Sequence, residues 1–126
     1  MGPDTLSLEG KVAIVTGSGR ENGIGAAIAA ALGRNGASVV INYVSDSSAS
    51  RAANVAAGIK GLGAKVIVVQ ADVSKPEGAA KLVKETLDGF QTDRIDILGN
   101  QCVSFSCLIL IRQHRQVNRW YTKKTQ

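Results

Sequence analysis

The chain has 126 residues, enough for one domain with a real core but short for an enzyme housing both a cofactor and a substrate. Aromatic residues make up only 4% of it, which argues for small-residue packing of helices on a sheet rather than an aromatic binding surface. Of 15 Lys and Arg, five (Arg112, Arg115, Arg119, Lys123 and Lys124) lie beyond residue 98, leaving ten against ten acids before it; the net charge of +5 belongs to the tail, and a neutral body offers no nucleic-acid face.

Lys11-Val12-Ala13-Ile14-Val15-Thr16 is a short apolar run ending at glycine, the pattern of a buried strand. Ile24, Ala27, Ile28, Ala31 and Leu32 then recur at the helical period, and Asn35-Gly36 supplies a stop. Ser38 to Tyr43 is a second, β-branched strand. The Ser/Asp cluster at 45–48 offers caps for a helix whose apolar face is Ala52, Val55, Ala56 and Ile59. A third strand is predicted over Lys65 to Gln70. Ser74-Lys75-Pro76-Glu77 has the form of a capping box with Pro at the first helical position. Behind it, Ala79, Leu82, Val83, Thr86, Leu87 and Phe90 share one helix face, and Ile95-Asp96-Ile97-Leu98 begins a fourth strand.

This alternation predicts an α/β fold: a doubly wound parallel sheet of the Rossmann kind, with strand order 3-2-1-4 and helices on both faces. The alternation stops after Leu98, so the sheet is expected to be incomplete. Ligands of such sheets bind at the switch point, here between strands 1 and 4, at the strands' carboxyl ends.

Thr16-Gly17-Ser18-Gly19-Arg20-Glu21-Asn22-Gly23-Ile24-Gly25 falls at that point. Glycines let a backbone approach a phosphate without a Cβ in the way, and the free N–H groups at a helix start favour the anion. A plain strand-to-helix turn is the alternative, but the flanking strand and helix are the context that a phosphate-binding motif requires.

Leu8-Glu9-Gly10-Lys11-Val12-Ala13-Ile14-Val15-Thr16-Gly17, with Gly23-Ile24-Gly25 after it, resembles the opening of a short-chain dehydrogenase/reductase. The family fingerprint is Thr-Gly, three residues, then Gly-x-Gly; here five residues intervene, and the extra pair is most simply Glu21-Asn22. The resemblance implies that Gly17, Ser18, Gly23, Ile24 and Gly25 belong to the cofactor site. An acid at the end of the second strand bonds the ribose of NAD. That place holds Asn42-Tyr43-Val44-Ser45, with no acid until Asp46, which permits the 2′-phosphate of NADP and makes Asn42, Tyr43 and Ser45 candidate contacts. Arg20 could pair with that phosphate or be a solvated loop cation; both readings stand. Asn-Tyr here is similar to the NADPH-dependent ketoreductase branch, including naphthol and polyketide reductases. By the same resemblance Asp72 bonds the adenine amino group and Val73 lines its pocket, the alternative for Asp72 being a helix cap ahead of Ser74. The family's Asn-Asn-Ala-Gly motif is absent, and only Asn100 falls on a matching position.

The resemblance implies carbonyl reduction by hydride transfer, with a Tyr general acid, a Lys four residues later and a Ser upstream. Tyr121 is followed at that offset by Thr125, so no catalytic residue is assigned, and Cys102 and Cys107 match no metal or redox motif. The expected organisation is an NADP-binding half-domain over residues 1–98 and a non-family basic tail over 99–126, disordered or misfolded. Gly99-Asn100 can be encoded by a string containing G-T-A-A, which suggests a retained intron or frameshift. The expected function is an NADP(H)-dependent carbonyl reductase, catalytically incomplete in this chain, or a non-enzymatic NADP-binding or regulatory fragment. Expected partners are NADP(H), a small-molecule carbonyl substrate in a full-length form only, and a second copy through the exposed edge of the fourth strand or Cys102–Ile111. No nucleic acid or membrane is expected, since the tail has no amphipathic pattern and Val103–Ile111 is too short to span. The N-terminus has no signal pattern, so the expected setting is cytoplasmic.

Overall fold

The computed structural model describes residues 7–99 and 101; Asn100, the Cys102–Ile111 segment named as an alternative edge, the basic tail and both cysteines lie outside the described residues. The elements run β1 (Val12–Val15), α1 (Ile24–Arg34), β2 (Ser38–Tyr43), a 3-10 turn (Asp46–Ser48), α2 (Ala49–Lys60), β3 (Val66–Gln70), α3 (Pro76–Phe90) and β4 (Ile97–Gly99). All strand pairs are parallel and the order is β3-β2-β1-β4, as the alternation predicts.

Successive strand residues point to opposite faces, and here both faces are covered, which is why the strands read as continuous apolar runs. Ala13, Val15, Val39, Ile41 and Val66 face α1 and α2. Ile14, Val40, Val69 and Ile67 face α3, where Leu82 and Val83 are buried at 0% and 1%. Asp96 closes the lower end of the sheet: its Oδ2 accepts from the Val12 N–H at 2.9 Å while its own N–H donates to the Val12 oxygen at 2.9 Å. Ile95 is buried against α3, and β4 starts at Ile97, two residues later than predicted.

The apolar faces of α2 and α3 are as read from the periodicity, with Ala52, Val55, Ala56 and Ile59 buried on one and Ala79, Leu82, Val83, Thr86 and Leu87 on the other. α1 is different. Its buried residues are Gly25, Ala26, Ala29 and Gly33, whereas Ile24 is 73% exposed and Ala27 is exposed. The reason is close approach: a Cβ on Gly25 would lie 2.8 Å from the Gly17 oxygen, and one on Gly33 2.7 Å from Ile59 Cγ2. Only the small-residue face fits at that distance.

Ser48, from the predicted cluster, is the N-cap of α2 but makes no side-chain cap bond, and the predicted capping box of α3 does not form. Lys75, not Ser74, is the N-cap of α3, with Pro76 in its first turn and no side-chain cap. The Ser74 hydroxyl instead donates to Asp72 Oδ1, so Ser74 and Glu77 make no capping box. The cluster at 45–48 folds as the 3-10 turn and leads into α2 without a side-chain cap, its serine hydroxyls bonding one another.

Candidate functional site

Three strand ends meet at Asn42. Its side chain is 1% exposed and turned inward. The amide nitrogen donates to the oxygens of Val69 (3.2 Å) and Ala71 (3.1 Å), and Oδ1 accepts the Gly17 N–H at 3.4 Å. Ser18 completes the lacing: its N–H donates to the Asn42 oxygen, the Asn42 N–H donates to Ser18 Oγ, and Ser18 Oγ donates to the Val15 oxygen at 2.7 Å. Ser18 and Asn42 therefore shape the site from beneath and do not present free side chains to it.

Above them runs the glycine loop. Gly17 has φ +64°, a conformation that a Cβ would strain. Gly19 lies against β2 and α2: a Cβ there would come within 2.8 Å of Tyr43 Cβ and 3.3 Å of Ala52 Cβ. The two extra residues are looped out. The Gly23 N–H donates to the Arg20 oxygen at 3.1 Å, closing a turn with Glu21 and Asn22 at its tip. The turn thus brings Arg20 close to Gly23 and carries Glu21 and Asn22 out of the path between them. The tip rests on α2, where Arg51 Nη2 donates to Asn22 Oδ1 (3.3 Å) and Asn54 Nδ2 to Glu21 Oε1 (3.2 Å).

Gly23 is the N-cap of α1, no side chain caps it, and no acid stands in its first turn. The helix start is pressed on the loop by the Gly25–Gly17 approach, so its N–H dipoles converge with the loop backbone. Arg20 is exposed beside it, and Ile24 leaves a large apolar side chain open at the same place. This set fits a dinucleotide: a backbone anion site with no acid in the first turn of its helix, a cation and an apolar surface.

At the end of β2, Tyr43 is half-buried and Ser45 is exposed, its hydroxyl shared with Ser47 and Ser48. Asp46, the first acid after the strand, accepts from Gln70 Nε2 at 2.6 Å. Asp72 follows β3, and both the Ser74 hydroxyl (2.6 Å) and the Ser74 N–H (3.0 Å) donate to its Oδ1. The hydroxyl bond first, then the N–H bond and the Lys75 charge, hold its carboxyl below the ordinary aspartate value. Val73 is 3% exposed and packed in the α3 cluster, so it can offer the site its backbone but not its side chain.

Several contributors carry no obvious sequence motif. Gln101, just past β4, donates its N–H to Thr16 Oγ1 at 3.0 Å, and its oxygen would lie 3.4 Å from a Cβ on Gly17. A Cβ on Gly78 would overlap the Asp72 carbonyl oxygen, so this glycine lets α3 pack against the Asp72 turn. A glycine inside a helix, where Ala is intrinsically better, is the signal that could have singled it out. Among the described residues no cluster of His, Cys, Asp and Glu could hold a metal, and no helix is long and apolar enough to cross a membrane.

A parallel 3-2-1-4 sheet with a glycine loop between its central strand and an uncapped helix defines a doubly wound, dinucleotide-binding half-fold. The chain belongs to the short chain dehydrogenase family, whose model matches residues 11–108 and so continues past Leu98. It is similar to versicolorin reductase 1 of Aspergillus parasiticus, 53% identical over 107 residues that cover 83% of this chain and 38% of that protein. Among solved structures it is similar to a short-chain dehydrogenase/reductase of Serratia marcescens (TM-score 0.77, 28% identity, 88% of this chain and 52% of the other). A dehydrogenase of Burkholderia cenocepacia with NADP bound matches 78% of this chain and 36% of its own length (TM-score 0.66, 31% identity). The chain spans 38% of the length of the first of these curated relatives.

Proposed function

We propose that this chain is the cofactor-binding part of an NADP(H)-dependent carbonyl reductase and holds the cofactor without turning it over. The observation that carries the choice of NADP is the end of β2. Asn42 there is buried, Tyr43 is half-buried, and the first acid, Asp46, is engaged by Gln70. Among the described residues, no carboxylate stands at the end of β2 before Asp46 to repel a 2′-phosphate, and the exposed Arg20 is a cation for it to meet.

In this reading the Gly17–Gly25 backbone and the start of α1 hold the pyrophosphate, and Arg20, Tyr43 and Ser45 border the 2′-phosphate. Asp72 accepts from the adenine amino group. When bound, the nicotinamide supplies the hydride. The 126 residues contain no Tyr-x-x-x-Lys: the positions four beyond Tyr43 and Tyr121 are Ser47 and Thr125. By the family resemblance, this sequence therefore lacks the Tyr–Lys pair that would supply the proton for carbonyl reduction. In a protein of the relatives' length the same site would serve reduction of a ketone, and the similarity to versicolorin reductase supports a polyketide-type substrate.

Calorimetric titration with NADPH and NADH, beside a turnover assay on a ketone panel, tests this. NADPH is expected to bind about tenfold or more tighter, the worth of one charge-assisted contact, with no turnover. Equal affinities would remove the 2′-phosphate reading, and measurable ketone reduction would remove the claim of a silent site.

A further inference from the structure

We propose that Arg51 and Asn54 of α2 are positioning residues for the cofactor loop, holding its two looped-out residues so that Arg20 and the loop backbone are set before the cofactor arrives. The inference rests on the NADP(H) reading above and adds to it how this longer loop is kept in order.

The loop has three other anchors. Gly17 and Ser18 are bonded to Asn42, Gly19 packs on Tyr43 and Ala52, and Gly25 lies against Gly17. Among the described residues, the backbone between Gly19 and Gly23 is held by one turn bond, from the Gly23 N–H to the Arg20 oxygen. Two added residues at such a point enlarge the set of conformations that binding must freeze, at about 1–2 kcal/mol per residue fixed. The tip does not hang free: each added side chain accepts one hydrogen bond from α2, Asn22 from Arg51 and Glu21 from Asn54. The donors are 29 and 33 residues away in sequence and one helical turn apart, so they form a matched pair of posts on one face of α2. Ordering is thereby met in the folded chain rather than at binding, which raises affinity without any new contact to the ligand.

The test is a cycle on the 126-residue chain. Arg51→Ala with Asn54→Ala removes both donors and, since Ala is the better helix former, does not weaken α2. NADPH affinity is expected to fall about fivefold, two exposed hydrogen bonds' worth. Deleting Glu21 and Asn22 in the same double variant is expected to restore it, because the tether has nothing left to hold. A general structural defect in α2 would not be repaired by that deletion. Amide hydrogen exchange across residues 18–25 without cofactor reads the tether separately and is expected to speed up about severalfold in the double variant. Unchanged exchange, or a loss of affinity that the deletion leaves in place, overturns the proposal. If the parent chain binds neither dinucleotide, the NADP(H) reading fails, while the exchange comparison still decides whether α2 orders the loop.

Discussion

α1 and α3 lie on opposite faces of one sheet and bury themselves by opposite means. α3 inserts Leu82, Val83 and Leu87 between itself and the strands, an interface built on volume. α1 presents Gly25, Ala26, Ala29 and Gly33, an interface built on nearness. The difference follows from the work each end does. The start of α1 sits on the glycine loop, with Gly25 against the Gly17 oxygen, and large side chains would lift it away. The start of α3 meets the Asp72 turn at Gly78 and its end approaches Ile67 at Gly89, while between them it packs through bulk at Leu82, Val83 and Leu87.

Truncation should separate the two faces most sharply. Leu82→Ala removes a fully buried side chain and is expected to cost about 2–5 kcal/mol in urea unfolding. Ile24→Ala, the same kind of change at the 73% exposed position, is expected to stay within about 0.5 kcal/mol. Comparable losses at the two sites would erase the contrast. Enlargement should reverse the order of sensitivity. Gly25→Ala puts a methyl 2.8 Å from one backbone atom and 3.0 Å from another, neither of which can swing aside. A cost of about 1–3 kcal/mol is expected from the overpacking, together with NADPH affinity lowered about tenfold or more. An unaffected titration curve would show that the α1–loop approach is not what forms the anion site.

The smallest effect concerns Asp72. Its folded-state pKa is lowered, so its contribution to stability is present above about pH 4 and is lost as pH falls through the lowered value. Ser74→Ala removes the largest cause of that lowering, and the carboxyl should then titrate closer to an ordinary aspartate in an NMR pH series. A titration curve that stays where it was would mean that the Ser74 hydroxyl does not hold the carboxylate.

How much of this was legible in the sequence follows the same divide. The faces of α2 and α3, the span of β2 and the strand order could be read because burial there follows apolar periodicity. On α1 the same rule singled out Ile24 and Ala27, which are exposed, since nearness to a backbone leaves no apolar pattern. The site was legible where a residue type is required by the backbone, as at Gly17 and Gly25. It was not legible where contacts are long-range. The inward turn of Asn42, the burial of Val73 and the posts at Arg51 and Asn54 depend on elements that only the fold brings together.

The proposed NADPH site is one continuous surface, from the glycine loop across the ends of β2 and β3. A 1H–15N amide spectrum of the labelled chain, followed as NADPH is added, tests it directly. The expected shifts concentrate in residues 17–26, 43–48 and 71–74, with the far strand ends near Val12, Ser38 and Val66 unmoved. Saturable shifts confined to other parts of the chain, or none at all, would contradict it.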